Sequence, residues 1–414
     1  MVHLNLDVLS EIFAAVVHTG SSSLLTLRLV NNVWYEITER NPRLWTRLLL
    51  NRKFHFTNLK YTQLHLQKSR SFPIDIHIAV PNDVALSEIR GVSNLLRNHT
   101  SRFRSFKVDA PIRDYVDGFL FLIARRQPAP LLESLELRVP QLAYTITVLT
   151  LEFLFTSFTP APRLARLEIP GLSLVLSGVG IKYYPKYPNM TSLVIDGMSL
   201  DYVPIQGIIS FLSSIPSLQH FVYKGHGESR TTVRDPYIAY MPNLRSVDVT
   251  APGAGGNVLY HIDAPALTDV RLDGFHNWHG VPEGNPSESL RDIILLLSVH
   301  SRNLRRLTLE YTAYLEIPCD FEIIFDGISF PHLEEVYLNA TDITDRALRN
   351  AKSHSSLRKL ELLNCIMLRG SSLLEFAQRR DRDFHLSLRG CRKLKITQQD
   401  MDTISELIKF KKLH

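Results

Sequence analysis

A chain of 414 residues is long for one ordinary hydrophobic core, so two or three domains or a repeat array are expected. Its 45% hydrophobic and 21% charged residues describe a folded protein rather than a disordered one. The most apolar stretch, Val139 to Leu151, holds Pro140 and Gln141 and falls short of the roughly 18 uncharged apolar residues of a membrane span. Asp7 and Glu11 interrupt the apolar N-terminus, which argues against a signal peptide. Cys319, Cys365 and Cys391 are too few, and odd in number, for a disulfide framework. Together these features imply an intracellular protein, cytoplasmic or nuclear, with no membrane contact. The net charge of +6 is uneven: from Asp345 to His414, 16 Lys and Arg stand against 8 Asp and Glu.

In chain order, Leu6, Leu9, Ile12, Phe13 and Val16 recur at steps of three and four, one face of an amphipathic helix. Gly20 with Ser21 to Ser23 ends that helix and can cap the next. Leu24, Leu25, Leu27, Leu29 and Val30 are too many apolar residues for one short helix to bury, so some must face a partner or the rest of the chain. Trp34 and the Leu44-Trp45 pair extend the apolar set.

The stretch from Leu4 to Trp45 resembles the F-box: an acid at Asp7, the Ile12-Phe13 pair, a Leu-rich helix, Val30 and Trp34 at the family's spacing, and a closing Leu44-Trp45. Asn5 stands where that family has Pro, and Asn31 where it has Cys. The resemblance implies docking on a Skp-family adaptor, and through it a cullin, by Leu6, Leu9, Ile12, Phe13, Leu29, Val30, Trp34, Leu44 and Trp45.

Residues 46 to 70 read as a connecting helical segment, and Ile74, Ile76 and Ile78 alternate with Asp75 and His77 as a half-buried strand. This Pro73-Ile74-Asp75-Ile76 segment is similar to the one that follows the F-box in large fungal families. From about residue 100 a unit L-x-x-L-x-L recurs eleven times, from Phe103-Phe106-Val108 through Leu304-Leu307-Leu309 to a weaker Leu386-Leu388, at intervals of 23 to 37. A period near 20 to 29 with this pattern is the leucine-rich-repeat signature. Pro162, Pro188, Pro216, Pro242 and Pro331 stand just before units, where a fixed φ suits a turn. Helical patterns fill the gaps over Tyr115–Arg126, Ile205–Ile215 and Ser289–His300, and Ser372/Glu375 and Thr397/Asp400 have capping-box spacing. Strand, turn and helix in repetition predict a solenoid with one parallel sheet. The last units, Leu357 to Cys365 and Leu386 to Cys391, with Ile343-Thr344-Asp345 upstream, resemble cysteine-containing leucine-rich repeats, a subtype characteristic of F-box proteins.

The fold expected is thus α/β: a leucine-rich-repeat solenoid (a horseshoe) carrying an N-terminal all-helical F-box-like module. Its divisions are 1–49 for the module, 50–99 for a connecting helix and first strand, and 100–414 for the repeats. Side chains alternate faces along a strand, so Glu136, Arg166, Lys224, Asp248, Arg271, Arg306, Tyr337 and Lys359 are expected on the concave face as target-binding residues. The signs are mixed, so a protein of mixed charge fits better than a polyanion, with Tyr337 as anchor.

Chemistry is expected to be absent. No close Cys pair supports zinc, and Cys365 and Cys391 read as small buried residues at one repeat phase. His276-Asn277-Trp278-His279 lacks acidic support for a metal, and Gly253 to Gly256 lacks the Lys of a phosphate loop. No metal, cofactor or catalytic residue is therefore assigned. The resemblance implies a substrate-recognition subunit of a Skp–cullin–F-box ubiquitin ligase, holding a target protein for ubiquitin-dependent degradation. The alternative is a non-ligase interaction scaffold whose vestigial F-box caps the repeats. Nucleic-acid binding by the basic C-terminus is a third reading, disfavoured because no recognition motif accompanies the charge.

Overall fold

The computed structural model describes residues 6–18, 24–140, 149–150, 157–170, 174–175, 187–197, 205–225, 238–250, 258–274, 290–311, 321–341, 343–351, 356–365, 367–391, 394 and 396–413. Cys319, the His276–His279 segment, Gly253–Gly256 and Gly20–Ser23 lie outside them. The chain divides into two compact units, Met1–Ser192 and Leu193–His414. The architecture is α/β and of the solenoid repeat type: parallel strands hydrogen-bonded in chain order, five in the first unit and nine in the second.

In the first unit, helices Leu6–His18, Leu24–Arg28 and Asn32–Arg40 and the 3-10 turn Pro42–Trp45 enclose a core of Phe13, Leu24, Leu27, Ile37, Leu44 and Trp45. Asn31, the departure at the expected Cys, caps the third helix: its side chain accepts from the Trp34 N–H at 2.9 Å. Asn41 caps the 3-10 turn in the same way, accepting from the Arg43 N–H at 3.0 Å. The sheet begins earlier than the sequence reading placed it. Arg47–Leu50, expected to be helical, is a strand paired in parallel with Ile74–Ala79, and Leu48 and Leu50 point inward. Phe103–Asp109, Ser134–Arg138 and Arg166–Pro170 follow, each parallel to the last. Between them run helices Lys60–Lys68, Leu86–Arg97 and Arg113–Phe119, the last continuing as a π turn over Leu120–Ala124.

In the second unit, the pairings from His220–Gly225 to Lys409–Leu413 are parallel and unshifted. Leu307 and Leu309 show the rule: both are buried, while Arg306, Thr308 and Glu310 face the other side. The first Leu of the unit, Leu304, is also buried, in the turn that enters the strand. Two recurrent contacts join successive repeats. Where the chain enters a strand, a polar side chain donates to a Pro carbonyl one repeat earlier: Asn243 to Pro216, Asn303 to Pro265 and Ser356 to Pro331, at 3.0, 2.9 and 2.6 Å. Asn189 to Pro162, at 2.8 Å, is the same contact in the first unit. Proline fixes that turn, and its carbonyl serves the next. Where the chain leaves a strand, one residue turns left-handed: Gly274, Tyr311, Ala340, Asn364 and Gly390. At Gly390 a Cβ would lie 2.3 Å from Asn364 Oδ1, so a side chain there would have to push the Asn364 amide aside as well as adopt the left-handed backbone.

Two further expectations are revised. Ser372 is not a helix cap: that helix, Gly370–Ala377, starts after Arg369, whose N–H is held by Asp345 Oδ1 of the previous repeat at 2.8 Å. Cys391 is only half-buried, whereas Cys365 is fully buried as expected. The Thr397/Asp400 capping box forms as read.

Candidate interaction surfaces

The helical segment of the first unit divides its expected docking residues in two. Phe13, Leu44 and Trp45 are buried, with Trp45 only 1% exposed and its indole N–H donating to Thr38 O at 2.7 Å. They hold the module together and offer no surface. Leu9 and Trp34 are half-buried against that core, with the Trp34 ring 4.7 Å from Phe13. Leu6, Ile12, Leu29 and Val30 are exposed, Leu29 at 85%. Val8, Val33 and Tyr35, which the sequence reading passed over, are exposed with them. Arg28 locks the underside: it pairs with Glu39 at 2.7 Å, and its guanidinium lies over the Tyr35 and Trp45 rings. Glu39 also takes Lys68 from the helix Lys60–Lys68. His65, 5.0 Å from the Trp45 ring, is buried, and that burial pulls its imidazole down to about 4.

The eight side chains expected on the strand face occupy the outward alternate positions in their own units. In the first unit, Glu136 lies 3.0 Å from Lys107 and 2.6 Å from Arg138. Lys107 and Arg138 both reach Asp109, which also takes His77 at 2.6 Å. Arg166 lies 3.9 Å from Glu168. In the second unit, register aligns Asp248 with Arg271, and Arg271 with Thr308 and then Tyr337. Arg306 and Lys359 share the adjacent row with Glu335 between them. Arg271 is the hub, 3.1 Å from Glu310, 3.5 Å from Asp248 and 4.0 Å from Asp273. Arg306 pairs with Asp269, Lys359 with Glu361 at 2.6 Å, and Lys224 with Asp196 at 4.0 Å. Burial pushes the Asp248 and Asp273 carboxyls up, against the pull of Arg271. Burial, reinforced by Glu310 and Glu361, pushes the Tyr337 phenol up as well. Arg271, Arg306, Thr308, Glu310, Tyr337 and Lys359 line a groove of about 410 Å³. It is open and polar, suited to a side chain or a short extended segment rather than to an enclosed small molecule.

Among the described residues, no three His, Cys, Asp or Glu converge as metal ligands, and no helix is long and apolar enough to cross a membrane. No protein-family model and no curated protein matches the chain. Among solved structures it is similar to a Bacteroides fragilis protein determined as a structural-genomics target. The two are 12% identical, the match covers 84% of this chain and 76% of that one, and the TM-score is 0.32. The architecture accordingly rests on this chain's own strands and their register. A repeat sheet of this type, with a polar outward face, is suited to holding a protein partner.

Proposed function

We propose that the chain is the substrate-recognition subunit of a Skp–cullin–F-box-type ubiquitin ligase. The observation that carries this reading is the apolar surface of the first helices. Leu6, Val8, Ile12, Leu29, Val30 and Val33 are exposed around a closed core, although a protein surface ordinarily scatters such residues. Their burial against an adaptor is worth roughly 1.5–3 kcal/mol for each large side chain fully covered. In this reading the chain makes and breaks no bonds. The adaptor and cullin bring a conjugating enzyme, and the strand face holds the target near it, which raises effective concentration. The groove around Arg271 and Tyr337 is the proposed target contact.

A second reading has its own support. Trp45 packs edge-on against His65, Leu64 joins the module's core, and the chain runs from Trp45 straight into the first strand. A module so joined closes the start of the sheet and is a reasonable cap for a repeat array.

Affinity purification of the tagged chain from cells tests the ligase reading. Co-elution of a Skp-type adaptor and a cullin, lost in Leu29→Asp with Val30→Asp, is the expected result. A folded chain that elutes without an adaptor leaves the capping scaffold.

A further inference from the structure

The two C-terminal cysteines were read as equivalent packing residues, and the structure makes them unequal. Each directly follows the left-handed residue that closes its strand, Asn364 or Gly390. Leu363 pairs with Arg389, and the Asn364 N–H donates to Arg389 O at 2.8 Å, so the parallel ladder continues to the threshold of both cysteines. Neighbouring strands lie about 4.8 Å apart, inside the Cα window of roughly 4.4–6.8 Å that a disulfide spans. Thr341 holds the same position one repeat earlier, after Ala340, and its hydroxyl is 3.5 Å from Cys365 Sγ. Thr341, Cys365 and Cys391 therefore form a column across three repeats.

The column is graded in burial. Thr341 and Cys365 are closed off, while Cys391 is half-buried at its open end. Both thiols are free. Each reaches back across one strand in the same way, Cys365 Sγ to Leu338 O and Cys391 Sγ to Leu362 O, both at 3.6 Å. The neighbouring Cys365 thiol pulls the Cys391 thiol down, while Cys391 and burial push Cys365 up. A cysteine serving only as a small hydrophobe needs neither the access to solvent nor the lowered thiol that Cys391 has.

We propose that Cys391 is an oxidation site for hydroperoxides and that Cys365 resolves it, linking two consecutive repeats by a disulfide. The Cys391 thiolate attacks one peroxide oxygen. A sulfur–oxygen bond forms, the oxygen–oxygen bond breaks, and water leaves after protonation. The sulfur is oxidised by two electrons and the peroxide is reduced. Cys365 sulfur then attacks the Cys391 sulfenic sulfur, its own proton leaving with the departing hydroxide as a second water. Two thiols and one hydrogen peroxide give one disulfide and two waters. The bond ties the repeat that ends at Cys365 to the next one. It is independent of whether the N-terminal helices bind an adaptor.

The test treats the reduced full-length chain with stoichiometric hydrogen peroxide at neutral pH, blocks free thiols, and maps peptides without reduction. The expected result is a Cys365–Cys391 linked peptide and a chain lighter by about 2 Da, reversed by dithiothreitol. In Cys365→Ser a sulfenic acid at Cys391 should instead accumulate and be trapped by dimedone. In Cys391→Ser, Cys365 should remain a thiol at the same dose. Both cysteines unmodified in the wild-type chain, or Cys391 linked to Cys319 instead, would overturn the proposal, and neither reading depends on a variant folding.

Discussion

The helices from Leu6 to Trp45 and the strands of the sheet solve the same problem differently. A strand in a repeat array has neighbours of its own kind, so an outward charge can meet one from an adjacent repeat. Lys107 reaches Glu136, and Arg271 reaches Glu310. Among the described residues of the fourteen strands no large apolar side chain is left exposed, whereas seven between Leu6 and Tyr35 are. A module present once has no such neighbours. It closes a core around Trp45 and leaves its remaining apolar residues in solvent. The difference teaches where to look for partners: surface completed by repetition selects its ligand by charge and shape, and surface left incomplete selects one by apolar burial.

Cutting the core of the helical segment has the largest expected effect. Trp45→Ala removes a buried indole and its hydrogen bond to Thr38 O, and should cost about 3–5 kcal/mol. Hydrogen exchange at the Ile74–Ala79 strand reads the consequence. Lost protection there, together with the helices, means that the module caps the sheet. Protection retained means that the two regions are energetically separate, as the docking reading requires.

The exposed rim of the same segment should behave oppositely. Leu29→Asp with Val30→Asp removes only solvent-facing surface, so the melting temperature should stay within the shift that about 0.5 kcal/mol produces. Adaptor binding, measured by calorimetry against a purified Skp-type protein, should fall tenfold or more, a loss of at least about 1.4 kcal/mol. Unchanged binding would remove these residues from the interface.

Acid should separate the two regions next. His65 is held near 4 by burial, with Arg28 and His55 adding repulsion, against an ordinary 6.5. Between those values the unfolded chain binds the proton and the folded one does not. The stability this site contributes is therefore complete above about 6.5 and is lost as pH falls toward 4, with roughly 2 kcal/mol gone at pH 5. Asp248 and Asp273 have the opposite sign: their carboxyls are raised, so protonation relieves a cost of burial. Urea melts at pH 7 and pH 5 should show the loss in the wild-type chain, and a shallower one in His65→Leu.

Alternation made the strands legible from sequence, because inward Leu pairs such as Leu307 and Leu309 repeat at a fixed phase. It failed at both ends of the sheet for definable reasons. Leu48-Leu49-Leu50 is an unbroken apolar run, which carries no period, and only pairing with Ile74–Ala79 makes it a strand. Lys409–Leu413 is mostly lysine, with Phe410 its one inward-phase aromatic, so its ladder with His385–Arg389 decides what its composition does not. Asp345 bonding the Arg369 N–H displaced the helix start expected at Ser372, a contact across 24 positions that no local spacing encodes. The strand face was legible as a set of outward residues, but not as a network. Arg271 and Glu310 are 39 positions apart, and only the register brings them within 3.1 Å.

Charge reversal on the strand face should have the smallest effect on stability and the most specific effect on function. Arg271, Arg306 and Lys359 are each partly exposed and paired with carboxylates, and surface pairs of this kind contribute about 0–1 kcal/mol. Replacing all three with Glu should therefore leave the fold intact. It also places new carboxylates beside Asp248, Glu310 and Glu361, so the groove loses its mixed character and repels an acidic contact on the target. The expected outcome is loss of target capture in a pull-down, with adaptor binding unchanged as the internal control. Wild-type capture by the triple variant, coupled with loss of capture when the segment 274–286 is deleted, would assign recognition to that segment. The Arg271 groove would then be an ordinary solvated face.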